Sequence, residues 1–494
     1  MSGSHEIELK FLCAAEDLAA VLAAAPAGED ETRELASTYF DTPDLKLQKQ
    51  GVSLRVRESK GRRVQTLKRG AGLTREEHEV PVEGDRPDPT VGPLKDILPN
   101  GEAVALSPAF DVRVTRRQRL VRYRDAEIEL ALDEGEVRGG DRTAPISEVE
   151  LELKSGRPEA LFELARELGA AAPLYLSFDS KSARGQALVA GAPLQARRKE
   201  RVELARGVTA AEAFQATARN ALGQIAANAA VLREGPQPEA VHQLRVAARR
   251  LRSAIATFGP LLDELGAEAV KDELRWLAQA CDAARNLDVL AERIAEAAAA
   301  LPAAPAGLDA LVHAVETARA EASAQAAEAA RSERFRRLMI DATAWIETGA
   351  WLSDDAGRDV REQKATAFAA AALDRRRRKL RKLARDLEKA SDEARHDARI
   401  EAKKLRYAAE TFASLFPEKP TTRFIGRLKD LQEELGALND AATAEPLLAS
   451  MELPPEAAFA AGELTGLQAA EKPGRIHKAV RAFEKLDETP RFWR

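Results

Sequence analysis

The segment Glu6-Ile7-Glu8-Leu9-Lys10-Phe11 decides how the N-terminal part of this 494-residue chain is interpreted. Charged and apolar residues alternate along it, which is the pattern of a β-strand whose successive side chains point to opposite faces. The three charged side chains therefore share one face of the strand, and the three apolar side chains share the other. By itself the segment predicts an edge strand with a solvated polar face. The same pattern recurs further along the chain, and that recurrence favours a functional interpretation.

Several strand-like segments before residue 185 place ionisable groups on one face and aliphatic groups on the other. In some of them the polar face carries arginine or lysine, and in others it carries two carboxylates separated by one residue. The clearest examples are residues 6–11, 52–58, 127–133 and 148–154. An ordinary β-sandwich would explain each segment singly, with its polar face in water. If the sheet instead closes into a barrel with the ionisable face inward, it forms a charged tunnel that helices cover on the outside.

Charges of both signs in one tunnel predict a particular kind of ligand, because buried charges are costly unless they pair or bind ions. The ligand that suits them is a polyanion that carries a divalent metal. The basic residues expected to neutralise phosphate oxygens are Lys10, Arg55, Arg57, Lys68, Arg117 and Lys181. The acidic residues expected to hold Mg²⁺ or Mn²⁺ are Glu6, Glu8, Asp133, Glu150 and Glu152.

Strand register stays open at two places, because a slip of one residue exchanges the two faces of a strand. One is the segment of Glu77 and Glu79, whose carboxylates point inward in only one of the two registers. The other is the choice between Arg116 and Arg117 as the inward-pointing guanidinium.

The order of these motifs resembles the CYTH superfamily, also called triphosphate tunnel metalloenzymes. Its signature strand corresponds to Glu6-x-Glu8-x-Lys10, and the pairs Arg55-x-Arg57 and Glu150-x-Glu152 follow in order. The resemblance covers residues 1–195 and implies an eight-stranded antiparallel tunnel that hydrolyses triphosphate with Mg²⁺ or Mn²⁺. It implies that the acidic set above ligates the metal. The residues to which it assigns catalytic roles around the triphosphate are Lys10, Arg55, Arg57, Lys68, Glu77, Arg117 and Lys181.

Composition limits the class of protein to which the chain belongs. With 45% hydrophobic and 31% charged residues it is expected to be globular, and its length predicts two or three domains. Two cysteines far apart in sequence give no disulfide framework, which favours a reducing compartment. The charged strand begins close to the N-terminus, so no signal peptide is expected. We therefore expect a cytoplasmic protein, in association with polyphosphate granules if it binds that polymer.

The second half of the chain differs in composition and contains an internal repeat. Residues 196–206 form a charged linker, and residues 207–494 are rich in alanine, leucine, arginine and glutamate with helical periodicity. Residues 242–288 match residues 396–442 at a constant offset of 154 (396 − 242). The repeat predicts an all-α bundle of two equivalent halves, around residues 208–300 and 360–450, related by a pseudo-two-fold axis.

Each repeat contains a ridge of basic residues at spacings of three, four and three, which aligns them along one helix face. Most basic stripes of this kind lie on the solvated surface of a helix. Here the stripe is duplicated and contains few acids, which favours an anion-binding role. No carboxylate or cysteine cluster at ligand spacing accompanies the two histidines, which favours a phosphate contact over a metal site. The ridge residues are His242, Arg245, Arg249 and Arg252 in the first repeat and His396, Arg399, Lys403 and Arg406 in the second.

These two ridges resemble the motif of the CHAD domain, an α-helical module with a characteristic histidine. The match rests on His242-x-x-Arg245-x-x-x-Arg249 and on the equivalent segment that begins at His396. The resemblance covers residues 206–494. It implies that all eight ridge residues bind inorganic polyphosphate in a basic groove, and it implies no catalysis there.

The sequence thus predicts an α+β protein with an N-terminal eight-stranded antiparallel β-barrel and a C-terminal all-α helical bundle. The favoured function is a metal-dependent inorganic triphosphatase with tripolyphosphate as substrate, whose helical domain binds inorganic polyphosphate. One alternative is a non-catalytic protein that binds or localises polyphosphate. Another is a thiamine triphosphatase or adenylate cyclase of the same superfamily. No membrane partner is expected, and the low aromatic content of 5% disfavours single-stranded nucleic acid as a partner.

Overall fold

The computed structural model describes residues 4–70, 74–98, 106–192, 194–262 and 264–494. The chain forms two compact units. One comprises residues up to 195 together with 332–344, and the other comprises residues 196–331 and 345–494. Among the described residues, no helix combines the length and the apolar character that a membrane span requires.

The first unit is built on one antiparallel sheet of nine strands in the described part of the chain. The strands are β1 (Ser4–Leu12), β2 (Asp30–Asp41), β3 (Val52–Ser59), β4 (Arg62–Arg69), β5 (Thr74–Pro81), β6 (Ser107–Tyr123), β7 (Ala126–Gly139), β8 (Arg142–Ser155) and β9 (Tyr175–Leu176). Their order is β5-β4-β3-β2-β6-β7-β8-β1-β9, and β1 makes an additional pairing with β5. The predicted N-terminal antiparallel sheet, followed by an all-helical region, is confirmed.

The predicted eight-stranded barrel describes this sheet only loosely. The sheet has a ninth strand, the short β9, which pairs with the end of β1. Residues 8–12 of β1 pair with β8, whereas only residues 4–7 pair with β5. The two ends of the sheet therefore meet over four residue pairs, and the sheet curves around an interior cavity without forming a uniformly closed ring.

Alternation along the strands separates a cavity face from a core face, as the sequence pattern indicates. In β8, Glu150 and Glu152 line the cavity, while Val149 and Leu151 are fully buried on the opposite face. The helices that the structure describes before residue 195 are α1 (Leu18–Ala24), α2 (Lys46–Lys49), α3 (Leu94–Ile97), α4 (Glu159–Ala171) and α5 (Lys181–Val189). Helix α4 packs against α1 and β8 and buries one apolar face, which keeps the aliphatic side of the sheet from water.

Helix α5 is positioned by a cap at its start and by a close glycine contact in its second turn. The Ser180 hydroxyl accepts a hydrogen bond from the Ala183 backbone N–H at 3.1 Å, which satisfies one of the free donors of the first turn. Gly185 lies so close to Phe110 that a Cβ atom there would approach its ring to 2.2 Å. Phe110 in turn stacks on Tyr39, with ring centroids 4.7 Å apart. This packing fixes Lys181, the first residue of the helix, at the cavity wall.

The rest of the chain is helical. Its helices are α6 (Ala210–Glu234), α7 (Pro238–Phe258), α8 (Glu264–Ala280), α9 (Asp282–Ala300), α10 (Leu308–Arg331), α11 (Glu333–Thr348), α12 (Arg358–Glu362), α13 (Ala365–Leu383), α14 (Asp392–Thr411), α15 (Glu418–Ala449) and α16 (Pro455–Glu488). Helices α7 and α14 begin 154 residues apart (392 − 238), which equals the offset of the sequence repeat. The repeats differ further on, because α8 and α9 are separate helices whereas their counterpart α15 is continuous.

The two ridge helices α7 and α14 pack against each other. Phe258 and Phe412, which occupy equivalent positions in the repeats, contact each other with ring centroids 5.4 Å apart. Phe368 stacks on Phe258 at 5.0 Å. Large aromatic side chains supply much apolar area, so this cluster stabilises the α7–α14 contact. Both basic ridges are thereby carried on adjacent helices.

Candidate active site and anion-binding site

The sheet of the first unit encloses a polar cavity of about 1150 Å³. Most of the residues that the sequence assigns to the phosphate or metal site line it. They are Glu8, Lys10, Arg55, Arg57, Lys68, Glu77, Asp133, Glu150, Glu152 and Lys181. The side chain of Glu6 lies outside the described part of the structure, although its backbone pairs with Arg75. The cavity therefore gathers acidic and basic groups from strands that are far apart in sequence.

Arg116, and not Arg117, is the guanidinium that β6 presents to the cavity. Its Nε and Nη2 atoms each donate to one carboxylate oxygen of Asp133 at 2.7 Å, a bidentate pair, and Nη2 also reaches Glu150 at 2.5 Å. Arg117 is paired in register with Leu132 on the opposite face of the sheet. The predicted site residue Arg117 therefore lies on the face away from the cavity, because the strand alternates one residue out of phase with the assumed register.

Three buried carboxylates lie together on β7 and β8 and form the inner carboxylate cluster: Asp133, Glu148 and Glu150. Each contributes one oxygen to a group whose members lie within 4.8 Å of one another. The Lys181 ammonium reaches Asp133 at 2.7 Å, Glu148 at 2.5 Å and Glu150 at 2.7 Å. Lys10 lies 3.0 Å from Glu150, so basic side chains already contact every member of the cluster.

The charges of the inner carboxylate cluster are therefore largely compensated within the protein. Burial would raise the pKa of Glu150, but Lys10, Lys181 and Arg116 outweigh it and hold that pKa well below its usual range. The same balance raises the pKa of Lys181 despite its burial. Arg184 of α5 adds a further guanidinium on Glu148. At neutral pH all three carboxylates are ionised and paired.

A second set of carboxylates, the outer carboxylate row, crosses three adjacent strands in register. Glu8 of β1 pairs with Glu152 of β8, which pairs with Glu129 of β7. Their side chains are 11%, 26% and 24% exposed, whereas those of Asp133 and Glu148 are fully buried. Lys154 lies 2.6 Å from Glu152 and 3.7 Å from Glu129. The row therefore offers carboxylate oxygens at the surface of the cavity.

Arg55 and Arg57 of β3 form a cationic pair on another wall of the cavity. The Arg55 guanidinium donates to the Tyr39 hydroxyl at 3.4 Å and lies 4.0 Å from Glu77. Burial, and then Arg55 and Arg116, lower the pKa of Arg57 to about 10. The Nε atoms of both arginines are buried without a hydrogen-bond partner among the described residues. Buried donors without partners are costly, so these two Nε atoms favour a bound group that offers acceptor oxygens.

Lys68, Glu77 and Glu79 complete the described cavity wall. Lys68 lies 3.1 Å from Glu77, its partner in register on β5. Glu79 also lines the cavity and accepts a hydrogen bond from Thr66 at 3.0 Å. The register that was open in the sequence therefore directs both carboxylates inward.

Sequence reasoning did not assign five residues that the structure places at or beside the site: Tyr39, Arg116, Glu129, Glu148 and Arg184. Glu148 and Glu129 follow the alternation of segments already singled out, so extending that pattern along both strands would have found them. Tyr39 carries no charge pattern, and only its stacking on Phe110 and its contact with Arg55 reveal it.

In the helical unit, four ridge residues converge into a central cationic cluster: Arg245, Arg249, Arg399 and Lys403. The Arg249 Nε atom donates to the Tyr407 hydroxyl at 2.8 Å, which connects α7 to α14. Arg399 lies 3.6 Å from Asp440 of α15. Its Nε atom is buried without a hydrogen-bond partner among the described residues.

The remaining ridge residues lie around this cluster and have partners of their own. His396 hydrogen-bonds Asn439 of α15. Burial, and then Arg285, lower the pKa of His242. Arg406 donates to Gln432 at 2.8 Å and to Glu410 at 2.9 Å. Arg252 faces Arg275, Asp272 and Asp282. The structure thus gathers half of the predicted ridge residues at one point.

Comparison with known proteins gives a match for each half of the chain. The family model described as CYTH domain matches residues 4–185, and the model described as CHAD domain matches residues 216–449. A curated inorganic triphosphatase from Haemophilus influenzae is 34% identical over 194 residues. That match covers 37% of this chain and 55% of the relative, so the chain spans about half the length of that relative.

A solved structure resembles the helical half. The crystal structure of the CHAD domain from the plant Ricinus communis has 30% sequence identity and a TM-score of 0.52. The match covers 60% of this chain and 98% of that chain.

Proposed function

Because the chain belongs to the CYTH family through residues 4–185 and to the CHAD family through residues 216–449, we propose that it is a metal-dependent inorganic triphosphatase that also binds polyphosphate. The N-terminal cavity hydrolyses tripolyphosphate with Mg²⁺ or Mn²⁺, and the helical domain binds inorganic polyphosphate without hydrolysing it. The name of the Haemophilus influenzae relative supports the hydrolase activity.

The cationic pair of Arg55 and Arg57 is the observation that carries this proposal. Two adjacent guanidiniums, each with a buried Nε atom that lacks a partner among the described residues, face a cavity rich in charge. Such an arrangement is unfavourable unless an anion with several oxygen acceptors binds between them. Phosphate groups present such oxygens, and arginine can donate two parallel hydrogen bonds to them. Lys10 and Lys68 extend the positive wall.

The acidic side of the cavity suits a hard divalent cation, because Mg²⁺ and Mn²⁺ prefer carboxylate and phosphate oxygens. The inner carboxylate cluster is already contacted by Lys10, Arg116, Lys181 and Arg184. We assign the metal to the outer carboxylate row of Glu8, Glu129 and Glu152, whose side chains are partly exposed to the cavity, whereas those of Asp133 and Glu148 are fully buried. When bound there, the metal would polarise a phosphoryl oxygen and lower the pKa of a coordinated water.

The residues of the chain then have separable tasks in hydrolysis. Water adds to a terminal phosphorus, the P–O–P bond breaks, and the departing pyrophosphate retains the bridging oxygen. Arg55, Arg57 and Lys68 hold the phosphate oxygens and neutralise the charge that develops on the leaving group. Tyr39 holds Arg55 in place through its hydroxyl. Lys181 and Arg116 keep the inner carboxylate cluster ionised and fixed.

The helical domain contributes polyphosphate binding through the central cationic cluster. Three arginines and Lys403 near the α7–α14 contact, with Asp440 as the acid that faces Lys403, give a local excess of positive charge. A chain that holds polyphosphate in one domain raises the concentration of phosphate chains near the covalently linked cavity. Binding of this kind requires no metal ligand in the helical domain.

Phosphate release by the full chain tests the hydrolase proposal and its substrate. Tripolyphosphate, ATP and thiamine triphosphate are compared with Mg²⁺ or Mn²⁺ present, and we expect tripolyphosphate to be hydrolysed fastest. Glu152→Gln should reduce the rate by about a hundredfold or more, since a metal ligand contributes several kcal/mol.

Glu134→Gln, an exposed carboxylate on β7, serves as the matched control and should leave the rate unchanged. Preference for ATP or thiamine triphosphate would replace the proposed substrate with an organic triphosphate. Release from none of the three substrates would leave only the polyphosphate-binding function.

A further inference from the structure

Lys403 is the one member of the central cationic cluster that can lose its proton near neutral pH. The other three members are arginines, which stay protonated in proteins. In the sequence repeat Lys403 is the counterpart of Arg249, so the two halves of the cluster differ in this single respect. An all-arginine cluster would have a fixed charge, whereas this one has a charge that can vary.

The surroundings of Lys403 are strongly positive. Arg245 and Arg249 face it from α7, and Arg399 faces it from its own helix α14. Asp440 of α15 is the acid that faces it. Asp440 lies 3.6 Å from both Arg399 and Arg293 of α9, so its charge is shared with two guanidiniums. No hydrogen bond or ion pair of Lys403 itself occurs within the described residues.

Arg249 cannot move away from Lys403 without breaking other contacts. Its Nε atom donates to the Tyr407 hydroxyl at 2.8 Å, and its guanidinium also lies over the Tyr407 ring at 5.6 Å. Arg406 covers the same ring at 4.9 Å. The like charges around Lys403 are therefore held in place by the packing of α7 on α14.

Other titratable groups lie on the elements packed around this site. His242 on α7 is close to Arg285, Arg249 and Arg245, and His396 on α14 bonds Asn439 of α15. Histidine is a side-chain type that can change charge near neutrality. Any measurement of protons must therefore separate Lys403 from the two histidines, which a substitution at Lys403 alone achieves.

We propose that Lys403 takes up a proton when the helical domain binds inorganic polyphosphate, so that the affinity for this polyanion increases as the pH falls. This inference rests on the proposed polyphosphate binding and adds a pH dependence to it. The phosphate oxygens supply the negative charge that Lys403 lacks in the free protein, and the ammonium form becomes favourable beside them.

The direction of the effect follows from the charge state of the free site. Burial, and then Arg249, Arg399 and Arg245, lower the pKa of Lys403 to about 6. Above that pH the amine of the free protein is mostly neutral, and binding must add one proton. By linkage, the affinity then falls by up to about tenfold for each unit of pH increase. Below pH 6 the amine is already protonated, and this contribution to the pH dependence disappears.

Isothermal titration of the full chain with long-chain polyphosphate tests the proposal. A chelator removes divalent metals to prevent hydrolysis, and titrations at pH 7.5 in two buffers of different ionisation enthalpy give the number of protons taken up. We expect the wild type to take up about one proton more than Lys403→Arg, because arginine retains its charge. Lys403→Gln removes the titrating group without adding a permanent charge and should show the same loss. Lys382→Arg, an exposed lysine of α13, should behave as the wild type.

The outcomes separate this inference from the proposed function. Tight binding with equal proton uptake in the wild type and both Lys403 variants would overturn the inference and leave polyphosphate binding intact. Absence of binding by the wild type in either buffer would overturn the proposed polyphosphate binding, and the inference with it.

Discussion

Lys181 is the residue that contacts all three members of the inner carboxylate cluster. Its ammonium lies within 2.7 Å of one oxygen from each of Asp133, Glu148 and Glu150. Three buried carboxylates at this separation repel one another strongly unless cations lie among them. The residue therefore acts as an internal counter-ion for the inner carboxylate cluster.

Replacing this counter-ion gives a prediction about stability and pH. Lys181→Met should lower the free energy of unfolding at pH 7 by about 3–5 kcal/mol, because it leaves buried carboxylates undercompensated. In the wild type the lowered pKa values of Asp133, Glu148 and Glu150 contribute stability above pH 4.5, and this contribution is lost as the pH falls below that value. In Lys181→Met those pKa values rise. The deficit, which is the loss in the free energy of unfolding relative to the wild type, should therefore shrink as the pH falls from 7 towards 4.5.

Denaturant unfolding at several pH values measures this deficit. Lys60→Met removes an exposed partner of Glu31 and should cost no more than about 0.5 kcal/mol. Addition of Mg²⁺ should restore part of the stability of Lys181→Met, because a second cation can then approach the three carboxylates. A loss that is small, or that is equal at every pH, would show that Lys181 is not their main counter-ion.

At this scale the sequence predicts residue types better than individual positions. Alternation alone places Glu8, Glu150 and Glu152 correctly on the cavity face, because each lies in a strand with an unbroken pattern. It cannot decide between Arg116 and Arg117, since both residues are basic and only the pairing of β6 with β7 fixes the phase. The burial of Arg57 and its Nε donor without a hydrogen-bond partner in the described part of the chain depend on contacts from other strands. Neither property can be predicted from the local sequence.

Among the secondary-structure elements, α5 is the one whose packing shapes the site most directly. Gly185 allows the helix to approach Phe110, and Phe110 stacks on Tyr39, which contacts Arg55. A chain of three contacts thus joins the helix to the cationic pair. The sequence around Lys181 shows no strand alternation, so its basic side chain and the family resemblance, and not a strand face, predict it as a site residue.

A methyl group at Gly185 tests this packing. Gly185→Ala should lower the free energy of unfolding by about 1–3 kcal/mol, because its Cβ atom would lie 2.2 Å from the Phe110 ring. Triphosphate hydrolysis should fall as well, since displacement of Phe110 disturbs Tyr39. Thermal unfolding and phosphate release measure the two effects.

Two further variants control for the effect of the substitution itself. Gly223→Ala, inside α6 with nothing within 4 Å of the added Cβ, should be neutral or stabilising by up to about 1 kcal/mol. Adding Phe110→Leu to Gly185→Ala should recover part of the lost stability by making room. A fully stable and active Gly185→Ala would show that the contact does not constrain the site.

For the whole molecule, the sequence predicts the class of each half and the repeat, and the structure adds how they are built. Periodicity of two and of 3.6 residues distinguishes the sheet from the helices without any tertiary information. The number of strands and the incomplete closure of the sheet could not be predicted, because β9 is only two residues long and the β1–β5 pairing is non-local. The repeat predicts equivalent helices α7 and α14, but it does not reveal that four of the eight ridge residues converge.

Arg57 and Arg117 provide a matched pair for the central claim that the cavity binds and hydrolyses triphosphate. Both are arginines on strands of the same sheet, and they lie on opposite faces of it. Arg57→Gln should be at least as stable as the wild type in phosphate-free buffer, because it removes a buried cation that faces Arg55 and Arg116. A loss of activity in this variant therefore cannot be ascribed to unfolding.

The most direct measurement is the rate of phosphate release from tripolyphosphate by the wild type, Arg57→Gln and Arg117→Gln, with Mg²⁺ or Mn²⁺ present and folding checked by thermal unfolding. We predict that Arg117→Gln retains the wild-type rate and that Arg57→Gln, still folded, loses about a hundredfold or more, as expected for a charged group that stabilises the transition state. Equal rates in all three proteins would contradict the assignment of this cavity as the site of hydrolysis.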